Sequence, residues 1–132
     1  MNNNFFKKYY SPLSSPLQGS WVKVLSPATV ANVVCGFDIL GFALNNPNDE
    51  FTVSLSDEVG VQIINDDDFN LPTDPEKNVS GAALLAMLDE CPDVKGFTLI
   101  SKKHIKPGSG IGSSAASAAG PVVAANILLD HR

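Results

Sequence analysis

Hydrophobic and polar positions alternate in short runs along the chain. Phe51, Val53 and Leu55 alternate with Thr52, Ser54 and Ser56, the period of a strand with one buried face. Val59, Val61 and Ile63 repeat the pattern after Asp57-Glu58, and two such runs so close together predict a hairpin. Trp21 to Leu25 is also β-prone, with Ser26-Pro27 expected to end it, and Gly96 to Lys103 reads as a further strand. Residues 28–44 are apolar with Gly36 and Gly41 among them, which suits a loop with a short strand. From Val79 to Cys91 the spacing becomes helical. Val79, Ala82, Ala83, Ala86 and Met87 share one side, Leu84, Leu85 and Leu88 widen the stripe, and Pro92 stops it. Asp74 before Pro75, the Thr73-x-x-Glu76 box and Asn78 are the candidate N-caps. A glycine loop at Gly108 to Gly112 opens a small-residue helix that runs to about Leu129. Pro121 lies inside that helix. An interior proline costs about 3 kcal/mol, so a kink or break is expected between Ser117 and Pro121. The order β, loop, β-β, α, β, glycine loop, α indicates an α+β domain.

The chain has 132 residues, the size of one domain. Residues 1–20 hold no period, with Pro12 and Pro16 in a Ser-rich stretch. They read as a disordered or extra amino-terminal tail, leaving 21–132 as the domain. A content of 44% hydrophobic and 17% charged residues is that of a folding chain. Net charge is −5, and ten of the fourteen acids lie between Asp57 and Asp93 with Lys77 as the sole base. That run reads as a solvated face, and the acidic balance argues against nucleic acid as a partner. Cys35, Cys91, His104 and His131 have no metal-ligand spacing. Two thiols, and no signal-peptide run in the first eight residues, suggest a reducing, cytoplasmic setting. Residues 107–129 carry no charge and reach the length of a membrane span. Their Gly, Ser and Ala content and two prolines suit a helix buried against a sheet instead, so no membrane is expected.

The segment richest in chemistry is Ile105 to Ala116. Three glycines let backbone turn tightly and approach a ligand. The loop feeds directly into a helix, whose first N–H groups lack intrahelical partners and carry the positive end of the dipole. That combination suits a phosphate. A Walker loop would need a lysine after Gly112, and a Rossmann fingerprint a glycine where Ser113 stands. Asp130, twenty residues after Gly110, mimics the ribose acid of that fingerprint, but it follows a helix rather than a strand. A helix start that uses Gly and Ser for capping alone remains the plain alternative.

The string Pro107-Gly108-Ser109-Gly110-Ile111-Gly112-Ser113-Ser114-Ala115-Ala116 resembles the phosphate loop of the GHMP kinases. Ser26-Pro27-Ala28-Thr29-Val30-Ala31-Asn32, continued by Gly36-Phe37-Asp38-Ile39-Leu40-Gly41, resembles the amino-terminal signature of the homoserine kinase branch. Ile111 replaces the usual leucine or methionine, and Val34 stands where many homoserine kinases have glycine. The resemblance runs from about Val22 to Leu129. It implies the amino-terminal nucleotide-binding domain of that family, a mixed sheet with helices packed on one side, here incomplete at its carboxy-terminal end.

It further implies phosphorylation of the hydroxyl of L-homoserine by ATP, in threonine biosynthesis. Lys106, Pro107, Gly108, Ser109, Gly110, Ile111, Gly112, Ser113, Ser114, Ala115 and Ala116 would wrap the ATP phosphates, with Ser113 or Ser114 touching Mg. Asn78 would border the adenine. Asn32 and Asp38 would hold the amino-acid substrate, and Asp38 would orient its hydroxyl as the catalytic residue. A magnesium-binding glutamate and the basic residues for the substrate carboxylate would fall beyond Arg132. ATP and L-homoserine are the implied partners, and a homo-oligomer is compatible. Another small-molecule GHMP kinase, or a non-catalytic nucleotide-binding fragment, are the alternatives.

Overall fold

A computed structural model describes residues 6–10, 19–31, 33–37 and 39–130. Among the described residues, five strands and two helices follow one another as β1 (Phe6–Tyr10), β2 (Ser20–Ala31), β3 (Gly41–Ser56), β4 (Gly60–Asn65), α1 (Val79–Glu90), β5 (Gly96–Lys102) and α2 (Ser113–Leu128), with a 3-10 turn at Val34–Gly36. They form one mixed sheet in the order β1-β2-β3-β5-β4. Only the β4–β5 pair is parallel.

The expected hairpin between the two alternating runs is not formed. β5 lies between β3 and β4, antiparallel to the first and parallel to the second. The reason lies in β5 itself. Gly96, Phe97, Thr98, Leu99 and Ser101 are all buried, the burial of a central strand rather than of an exposed edge. α1 supplies the crossover that returns the chain beside β4. β2 also differs from expectation, because Ser26-Pro27 does not end it. The strand passes through an irregularity between Pro27 and Thr29 and pairs again with β3 from Thr29 to Ala31. A bulge tolerates a residue that cannot donate to the ladder. Within the stretch read as a tail, Phe6–Tyr10 pairs antiparallel with Ser20–Val24 as β1; the rest of that stretch up to residue 18 lies outside the described residues.

Both helices pack on one face of the sheet. Val22 and Val24 of β2, Phe51 and Val53 of β3, Val61 and Ile63 of β4, and Phe97 and Leu99 of β5 point into a core shared with Leu84 of α1 and Ala124, Ala125 and Leu128 of α2. α1 is capped by Asn78, whose side chain accepts from the N–H groups of Ser80 (2.9 Å) and Gly81 (3.4 Å). Its buried face is Ser80, Gly81 and Leu84, backed by Leu85, Met87 and Leu88. Val79, Ala82 and Ala86, expected on the core side, are exposed. Apolar residues surround this helix, so periodicity could not single out the face that meets α2.

α2 runs unbroken through Pro121, against the expected kink. Proline removes the N–H that would bond the carbonyl of Ser117. That carbonyl instead accepts from the hydroxyl of Ser80 at 2.8 Å. One residue earlier the carbonyl of Ala116 accepts from the hydroxyl of Ser26 at 3.1 Å. Of the alanines at the start of this small-residue helix, Ala116 is buried, Ala118 half-buried, and Ala115 and Ala119 exposed. The close approach is made by Gly120, where a Cβ would run into the ring of Phe51. No helix among the described residues is long and apolar enough to cross a membrane.

Two stability predictions follow from backbone positions. Gly120→Ala forces Phe51 or the helix to move and lowers unfolding free energy by about 2 kcal/mol; the denaturant midpoint reads this, and the exposed Ala119→Ser serves as control. Val34 has φ +35° with its side chain 94% exposed, a left-handed conformation that a β-branched residue rarely adopts. Val34→Gly relieves about 1–2 kcal/mol of strain against roughly 0.5–1 kcal/mol of added chain entropy. The thermal midpoint of Val34→Gly therefore rises, and a fall would show that no strain is stored there.

Candidate functional site

The glycine loop leaves β5 through Lys103, His104 and Ile105 and ends where α2 begins. Gly108, Gly110 and Gly112 have φ of +76°, +78° and +77°, so three of the loop's residues use the region that glycine reaches without penalty. The most constrained is Gly112, the N-cap of α2. Its missing side chain makes room for Thr29 of β2, whose hydroxyl a Cβ would strike. No side chain caps α2. The N–H of Ala116 bonds the carbonyl of Gly112 at 2.9 Å, and the N–H groups ahead of it in the first turn face outward with the positive end of the dipole.

Three sets of contacts hold the loop. The N–H of Thr29 donates to the carbonyl of Ile111 at 2.9 Å. A small apolar cluster of Ala28, Ile105 and Ala116, with Leu44 and Ile111 against it, seats the loop on the end of the sheet. The third set is a buried ion pair. Asp49 of β3 and Lys103 have side chains 0% and 2% exposed and bond each other directly. Oδ1 of Asp49 accepts from the N–H groups of His104 (2.7 Å) and Ile105 (2.8 Å). Nζ of Lys103 also donates to the carbonyl of Ser113 (3.2 Å) and the hydroxyl of Ser117 (2.7 Å). All three ammonium hydrogens therefore have acceptors. The N–H of Lys103 donates to Asp67 at 3.0 Å.

Of the residues expected in the site, Lys106, Gly108, Ser109, Gly110, Ser114 and Ala115 are exposed around the loop, while Pro107, Ile111, Gly112 and Ser113 are half-buried and Ala116 is buried. The two candidate metal hydroxyls differ. Ser113 turns back to donate to the carbonyl of Ile105 at 3.3 Å, whereas Ser114 is exposed at the helix start. Asn78 comes near the loop: it shares a cavity of about 110 Å³ with Lys103, Pro107, Ser113, Ser114 and Ser117. Its amide is already engaged, capping α1 and donating to the carbonyl of Pro72 at 2.7 Å. Ligand pockets usually measure about 300–1,000 Å³, so this cavity takes only part of a ligand. Asn32 and Asp38 lie outside the described residues; Phe37, Ile39 and Leu40 beside them are exposed.

Sequence reading missed Asp49, Lys103 and Ser117. Lys103 stands in the run Lys102-Lys103-His104, which reads as a solvated edge, and nothing local marks its burial. On the opposite face of the sheet the neighbouring charges are solvated. Glu50 pairs with Lys23 and meets Nε2 of His104 at 3.0 Å. The Lys23 ammonium beside it, helped by His104, holds the Glu50 carboxyl below its ordinary value. Among the described residues no three His, Cys, Asp or Glu side chains group to hold a metal ion. Asp49, a carboxylate near the loop, is engaged by Lys103 and two amides.

Residues 78–132 match the family model described as the GHMP kinases N terminal domain. The homoserine kinase of Chloroherpeton thalassium is 44% identical over 116 residues, 79% of this chain and 36% of that protein. That of Methanocella arvoryzae is 42% identical over 107 residues, 81% of this chain and 34% of that protein. The crystal structure of homoserine kinase from Cytophaga hutchinsonii superimposes with a TM-score of 0.79 at 42% identity, covering 94% of this chain and 38% of that one. The chain thus spans a little over one third of the length of these relatives. In sequence and fold together, the chain matches the amino-terminal part of homoserine kinases and, over residues 78–132, the GHMP kinases N terminal domain.

Proposed function

We propose that this domain binds ATP on the glycine loop and forms the nucleotide-binding part of a cytoplasmic ATP:L-homoserine phosphotransferase of threonine biosynthesis. The observation that carries the reading is the uncapped start of α2 behind Gly108, Gly110 and Gly112, each at positive φ. Backbone N–H groups there suit the phosphate oxygens, and their positions are set before the ligand arrives. The similarity to homoserine kinases over most of the chain supports the choice of substrate.

In this reading the γ-phosphoryl group passes to the hydroxyl oxygen of homoserine. Such transfer depends on positioning and charge stabilisation rather than covalent work by the protein. The loop N–H groups orient the phosphates, and the Ser114 hydroxyl, exposed at the helix start, would touch a magnesium ion that the nucleotide carries. Magnesium keeps several waters and needs few protein ligands beside phosphate, which agrees with a loop that offers hydroxyls and no unengaged carboxylate. When bound, the ion offsets charge on the transferring group. Asn32 and Asp38 are assigned to the amino-acid substrate, with Asp38 orienting the hydroxyl.

ADP release from ATP, magnesium and L-homoserine by the intact reading-frame product tests the proposal, with mevalonate and galactose as control substrates. Homoserine-dependent release is expected; release with a control alcohol alone would move the domain to another branch of the family. Gly112→Ala, which combines a left-handed φ with a clash against Thr29, weakens ATP binding at least about tenfold. Unchanged affinity in that variant would remove the loop from the site.

A further inference from the structure

We propose that Asp49 is a positioning residue for the nucleotide, acting through Lys103 to fix both ends of the glycine loop at once. This rests on the reading of that loop as the phosphate site.

One carboxylate group spans the arrangement. Its Oδ1 takes the N–H groups of His104 and Ile105, where the chain leaves β5 for the loop. Its Oδ2 takes the Lys103 ammonium, which reaches on to the carbonyl of Ser113 and the hydroxyl of Ser117 in the first turns of α2. The start of the loop and the start of the helix are therefore tied to the same side chain on β3. Between them Lys106 and Gly108 to Gly110 remain exposed. A loop fixed at both ends and open in the middle presents its N–H groups in one arrangement, and ligand binding then costs less ordering.

A pair kept only for stability would be a poor choice here. Buried ion pairs contribute little net stability, and well-packed apolar residues often replace them without loss. This pair instead has its ammonium hydrogens and both carboxylate oxygens engaged, and every partner outside the pair belongs to the loop's flanks. The adjacent ring of Phe51, with Lys103 Nζ 5.8 Å from its centroid, links the pair to the main core.

The test uses Asp49→Asn, which keeps the side chain's size but removes its charge. Two quantities are read on the same protein: amide hydrogen exchange along the chain, and affinity for ATP with magnesium. Faster exchange confined to residues 104–114, with β3 and β5 still protected, and affinity reduced at least about tenfold are expected, since hydrogen bonds to charged groups are the stronger ones. Wild-type exchange in the loop, or unchanged ATP affinity, overturns the proposal. Ser117→Ala removes one acceptor of the ammonium from a helix position that alanine suits, and serves where Asp49→Asn does not fold. It is expected to weaken ATP about threefold with a modest fall in thermal midpoint, because the helix propensity of alanine offsets only part of the lost buried hydrogen bond; unchanged affinity counts against the proposal. Failure of the wild-type chain to bind ATP would overturn the phosphate reading itself. The exchange data would still show separately whether Asp49 holds the loop.

Discussion

The bond between Asp49 and Lys103 is the constraint on which the site depends. Removing two charges from water is costly, and the cost is offset only where the remaining hydrogen-bonding capacity is also used. Here it is used on backbone: two N–H groups at the exit of β5 and a carbonyl at the start of α2. Moving the loop would therefore expose or orphan a buried charge. That energetic coupling ties a glycine-rich segment, flexible by composition, to the rigid centre of the sheet.

The helix that receives the loop is fixed by a comparable device further along. Pro121 withholds an N–H from the carbonyl of Ser117, and Ser80 of α1 replaces it. The two helices are thereby joined at the level of the site rather than at their far ends. Gly120 lets the same stretch of α2 approach Phe51, whose ring also lies beside Lys103. Side chain, backbone and ion pair thus converge on one region, where β3 supports the first turns of α2. The uncapped N–H groups of α2 face outward from there, so the dipole is aimed where a phosphate would sit.

Much of this was legible in the sequence. The glycine loop, the helix behind it and the alternating strands follow from spacing, and Asn78 was among the candidate caps for α1. Other features were hidden for physical reasons. A period of two describes which face of a strand is buried but not its neighbour, so the β3–β4 hairpin was a natural reading although β5 lies between the two strands. Pro27 looked like a strand end because a bulge cannot be recognised without its partner. Pro121 looked like a kink because its compensation comes from Ser80, thirty-seven residues before the Ser117 carbonyl that it bonds. Nothing local marks Lys103 for burial, because its partner is an acid fifty-four positions away.

The central claim is that the loop and the first turn of α2 form the phosphate site. Its most direct test is a titration of the isotopically labelled chain with ATP and magnesium, followed by amide chemical shifts. The largest shifts are expected at residues 108–116, with smaller ones reaching His104 and Ile105 through the clamp. Saturable shifts that leave those amides unmoved, or that gather elsewhere on the domain, would contradict it.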